Sequence, residues 1–72
     1  MRQEEVLRGL REIGPCTARE LAMHIHGDSY DRNTRDMAHA RLRTLHRQGF
    51  VRKVGERKTG PGKPSPVWDV VE

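Results

Sequence analysis

Between residues 31 and 66 the chain carries ten basic side chains: Arg32, Arg35, Arg41, Arg43, Arg47, Arg52, Lys53, Arg57, Lys58 and Lys63. Against them stand Asp31, Asp36 and Glu56, a net charge of +7 in half of a 72-residue chain. Guanidinium and ammonium groups at that density are the chemistry that holds a polyanion. Residues 1–30 carry four basic and five acidic groups, a net of −1, and the last six residues return −2. The charge is therefore segregated along the chain. The other reading of the same residues is a solvated basic surface, and the two part on whether the basic positions share one side of the fold.

Other chemistries are weakly signalled. His24-x-His26 would splay two rings to different sides of a helix, and His39 and His46, seven apart, lack a CxxC or HxxxH pattern to complete a ligand set. The expectation is no metal and no cofactor. Cys16, the single cysteine, cannot form an internal disulfide and reads as a small packed side chain. No GxSxG, HExxH or P-loop occurs: Gly60-Pro61-Gly62-Lys63-Pro64 lacks the GK[ST] ending and leads toward a strand. No catalytic residue and no small-molecule substrate are expected, and the protein is read as no enzyme.

Seventy-two residues bury about 62% of the unfolded surface by area scaling, enough for one core of roughly three elements. One domain over 1–72 is expected. No apolar run is long enough to span a membrane, and the charged opening, residues 1–14, does not resemble a secretory signal. The expected setting is cytoplasmic, associated with the nucleoid when bound.

Val6, Leu7, Leu10 and Ile13 fall at helical spacing and predict a first helix over about 3–13, ended by Gly14-Pro15. Thr17-Ala18-Arg19-Glu20 has the form of a capping box opening a second helix over about 18–26, with Leu21, Ala22 and Ile25 on one face. After the turn chemistry of Gly27-Asp28-Ser29, either Asp31 or Asn33 can cap a third helix, over about 33–48. Its buried stripe is Ala38, Leu42 and Leu45. The opposite arc holds Arg32, Asn33, Asp36, Ala40, Arg43 and Arg47, flanked by His39, His46, Met37 and Thr44. Strands are predicted over about 50–54 and 67–71, with Phe50 and Trp68 packing in the core. The glycines and prolines of 55–66 predict a long basic loop between them.

In this order the segments resemble the winged helix-turn-helix family of DNA-binding domains. The similarity covers nearly the whole length. Its most telling stretch is Leu42-Arg43-Thr44-Leu45-His46-Arg47-Gln48-Gly49-Phe50-Val51-Arg52-Lys53-Val54, similar to the family's exit from the recognition helix into the wing. Thr17-Ala18-Arg19-Glu20-Leu21-Ala22 resembles the start of its second helix, and Pro15-Cys16-Thr17 holds the place of the short strand that pairs with the wing. Ala22 to Leu42 spans about six residues more than in compact members, which lengthens the turn or starts the third helix earlier.

The resemblance implies an α+β, mainly helical fold: three helices, then a two- or three-stranded antiparallel sheet with a long basic wing. It implies a small prokaryotic, archaeal or phage transcriptional regulator that binds double-stranded DNA. Helix three would enter the major groove, where Arg32, Asn33, Asp36 and His39 are the candidates for reading base edges. Arg35, Arg43 and Arg47, with Arg57, Lys58 and Lys63 of the loop, are the candidates for phosphate or wing contacts. The alternatives are a protein-interaction module within a larger complex and a binder of structured RNA. A monomer, or a weak dimer through helix one, is expected.

Overall fold

Local signals in the chain set most of the element boundaries. The computed structural model describes residues 2–58 and 61–71. Its elements are α1 (Gln3–Ile13), β1 (Cys16–Thr17), α2 (Ala18–His26), a single 3-10 turn (Gly27–Ser29), α3 (Arg32–Gln48), β2 (Val51–Arg57) and β3 (Ser65–Val70). The three strands form one antiparallel sheet in the order β1-β3-β2. This is an α+β architecture of three helices and a three-stranded sheet, with a radius of gyration of 11.1 Å, against about 11 Å for a compact chain of this length.

The helix starts are side-chain events. Thr17 Oγ1 accepts from the Glu20 amide at 3.2 Å, and Glu20 Oε1 accepts from the Thr17 amide at 2.9 Å. Two amides that the first turn would leave unpaired are thereby satisfied. Asp31, not Asn33, opens α3 in the same way: Asp31 Oδ1 accepts from the Thr34 amide at 2.8 Å and Thr34 Oγ1 from the Asp31 amide at 2.9 Å. The extra length before Leu42 is thus divided between the 3-10 turn and a helix that begins at Arg32. Gly49, at φ 86°, ends α3 in the left-handed region, and the Gly49 and Phe50 amides donate back to the carbonyls of His46 and Leu45. That is the Schellman closure, which favours glycine because a Cβ is disfavoured there.

One face of each helix enters a common core with the sheet. Val6 and Leu10 of α1, Leu21 and Ala22 of α2, and Ala38, Leu42 and Leu45 of α3 are fully buried. Cys16, Ala18, Val51 and Trp68 complete the cluster, and Leu7, Ile25 and Tyr30 pack against it half-buried. Gly9 also lies in the α1–α2 contact: a Cβ built on it would stand 2.7 Å from Leu21 Cδ1. Ile13, on the apolar face of α1, is nevertheless 39% exposed at the end of the helix, next to Gly14.

The hairpin departs from expectation. Phe50 belongs to the α3 closure rather than to β2 and is 53% exposed, so it is not a core residue. The strands run to Arg57 and begin again at Ser65, which shortens the connection from 55–66 to 58–64, of which 59 and 60 lie outside the described residues. Gly55 is accommodated by a register shift between Lys53 and Gly55 that leaves Val54 as a bulge. Pro66 pairs with Glu56 beyond the end of two-residue β1, where β3 is an edge on that side. An edge is where a strand tolerates a missing N–H.

Candidate nucleic-acid interface

With Ala38, Leu42 and Leu45 turned fully inward, the period of α3 brings one flank of the helix against the hairpin. A cavity of about 500 Å³ opens there, lined by His39, Arg43, His46 and Arg47 of α3, Lys53 of β2, and Pro66 and Trp68 of β3. A second, of about 260 Å³, continues toward the start of the helix, lined by Ala18 and Arg19, Arg35, Asp36, His39, Ser65 and Pro66. The two share His39 and Pro66 in their walls. Together they make a trough between α3 and the hairpin. Cations from two separate stretches of sequence meet in it.

Lys53 reaches the trough because β2 and β3 are in register there: Lys53 stands opposite Trp68, and residues directly opposite in an antiparallel pair share a sheet face. The Trp68 ring is 5% exposed and meets the His46 ring edge-on, with centroids 5.2 Å apart. Its Nε1 is buried without a hydrogen-bond partner among the described residues. Among the described residues the larger cavity has no carboxylate in its wall. Lys53 Nζ also lies 3.2 Å from Glu56 Oε1, and Arg35 lies 3.5 Å from Asp36 Oδ1.

The expected site residues divide. His39, Arg43 and Arg47 come together in the larger cavity, and Arg35 and Asp36 lie beside them in the smaller one. Arg32 and Asn33 are exposed in the first turn of α3 and line neither cavity. Lys58 and Lys63 are exposed in the connection. Arg57 is placed differently from the free wing cation expected of it. Its guanidinium donates to both oxygens of Glu20, at 2.5 and 2.6 Å, so it ties the hairpin to the start of α2.

Glu20 is held below the ordinary carboxylate range. The first cause is the hydrogen bond from the Thr17 backbone, with the Thr17 side chain and Arg57 adding to it and partial burial opposing them. Lys53, Arg19 and His46 are trough residues not singled out as contacts from the sequence. For Lys53 the signal would have been its strand register with Trp68, which the bulge at Val54 hides.

His24 and the cysteine do other work. His24 Nε2 pairs with Glu12 Oε2 at 2.9 Å, joining α2 to α1, and this hydrogen bond is the main cause of a lowered Glu12 pKa. Burial pushes the Cys16 thiol up to about 11, with Glu20 adding to the rise, so at neutral pH the group is a thiol rather than a nucleophilic thiolate. Among the described residues no cluster of three or more His, Cys, Asp or Glu could hold a metal ion, and no helix is long and apolar enough to cross a membrane. A cavity of about 570 Å³ lies between the end of α1 and the sheet. It is larger than the trough cavity, yet it sets Arg52 opposite Asp69 and gathers no comparable excess of one charge.

No protein-family model, curated protein or solved structure matches the chain. The fold and the site define a small basic α+β protein whose third helix and β-hairpin enclose a cationic trough.

Proposed function

We propose that the chain is a winged helix-turn-helix domain that binds double-stranded DNA without chemistry, as a small transcriptional regulator. The observation that carries the reading is the convergence of Arg43 and Arg47 from α3 with Lys53 from β2 on one cavity. A surface basic only in sequence would scatter these groups. The element order, and the pairing of the short β1 with β3 of the hairpin, are what the resemblance implies for the scaffold. In this reading the first turn of α3 enters the major groove with Arg32 and Asn33 at base edges and Asp36 beside them. Arg43, Arg47 and Lys53 hold the backbone that passes between helix and hairpin, while Lys58 and Lys63 extend the contact along the wing. His39 shares a cavity with Arg43 and Lys53 rather than with Asn33, so it joins the backbone set. The Glu20–Arg57 pair sets the angle of the hairpin.

The test is a titration of the purified protein against duplex DNA, an RNA hairpin and a single strand across a salt series. Duplex DNA should bind tightest, with an affinity that falls steeply with salt. Preference for the RNA hairpin, or no binding of any of the three at low ionic strength, would contradict the reading.

A further inference from the structure

We propose that the larger trough cavity seats successive phosphodiesters of one DNA strand and that His39 and His46 meet them as imidazolium, so that duplex binding takes up protons. The inference rests on the DNA-binding reading and adds to it a defined anion subsite with a linked proton equilibrium.

Among the described residues the wall of the cavity contains three permanent cations, Arg43, Arg47 and Lys53, two imidazoles and no carboxylate. A phosphodiester stays a monoanion throughout the neutral range, so any proton exchanged on binding belongs to the protein. Imidazole is the side chain that changes charge there. His46 is held in place by its edge-on contact with Trp68 at 5.2 Å, and His39 stands where the two cavities join.

The charged groups that line a cavity with His39 or with His46 are predominantly positive. From α3 itself come Arg35, Asp36, Arg43 and Arg47, from α2 comes Arg19, and from β2 comes Lys53, whose ammonium also meets Glu56 at 3.2 Å. From β3 come Ser65, Pro66 and Trp68, none of them charged. A phosphate placed among these cations favours the protonated form of each ring. By reciprocity, protonating the rings strengthens the hold on the phosphate.

The experiment measures duplex affinity from pH 5.5 to 8.0 at constant ionic strength for the natural sequence, His39→Gln, His46→Gln and the double variant. For each proton taken up with the duplex, affinity should rise by up to about tenfold per pH unit of acidification. The single variants should each lose part of that gain, and the double variant should bind with a flat profile. Because His46 packs on the single tryptophan, the unsubstituted protein offers a second measurement that needs no variant. Trp68 emission, quenched by a neighbouring imidazolium, should titrate with its midpoint at higher pH when duplex is saturating. Duplex binding with the same affinity at every pH, an acid gain that persists in the double variant, or an emission midpoint that duplex does not move would overturn the proposal and leave DNA binding standing. No duplex binding at any pH would overturn both.

Discussion

Arg43 and Arg47 line one cavity with Lys53, whereas Asn33 is exposed at the opening turn of α3, outside the trough. That separation predicts different phenotypes. Arg43→Gln or Arg47→Gln should weaken binding to preferred and random duplexes alike and flatten the slope of log affinity against log salt by about 0.9 each. Asn33→Ala should cost about 1–3 kcal/mol on the preferred sequence alone, at one base pair. Equal losses on all duplexes from all three changes would contradict the division. Glu20 poses a different question, because it caps α2 and also holds Arg57. Its folded-state pKa is lowered from the ordinary 4.5, so its contribution to stability is complete above that value and is lost as pH falls through the lowered one. Glu20→Gln should therefore melt at lower temperature than the natural chain at pH 7, and the gap should close on acidification. A gap that widened toward pH 3 would contradict the assignment.

At the scale of elements, the contact between α1 and α2 is set by Gly9. Alanine there would gain about 1 kcal/mol of helix propensity. Its Cβ would stand 2.7 Å from Leu21 Cδ1, in a core where Leu21 is fully buried and has little room to swing aside. Overpacking of this kind costs about 1–3 kcal/mol, so Gly9→Ala should destabilise on balance, as read by denaturant unfolding; a higher midpoint would show that the helices yield. Leu45→Ala should cost about 2–5 kcal/mol. Phe50→Ala should cost far less, since half of its ring is already in solvent. The helices were legible from local chemistry: Ala38, Leu42 and Leu45 mark their own period, and Thr17 with Glu20 marks a start. The hairpin was not, because what admits Gly55 and Pro66 to strands is a bulge and the early end of β1, both properties of the partner strands. For the same reason Phe50 and Val51 read as one apolar pair although only Val51 is in the core. The Arg57–Glu20 tie, 37 residues apart, leaves no local trace at all.

For the whole molecule, the segregation of charge along the chain becomes a segregation in space. No residue of α1, with its Glu4, Glu5 and Glu12, lines the trough, and Glu12 is engaged with Arg8 and His24. The basic half supplies the cations of the larger cavity from a helix and from a strand that Glu20 and Arg57 anchor to the rest of the fold. The most direct measurement is the salt dependence of duplex affinity for the natural chain and for the triple variant Arg43→Gln, Arg47→Gln, Lys53→Gln. If the trough holds the backbone, the triple variant should lose about 2.7 from the slope of log affinity against log salt, with its melting temperature little changed. An undiminished slope would place the polyanion elsewhere on the surface and contradict the account.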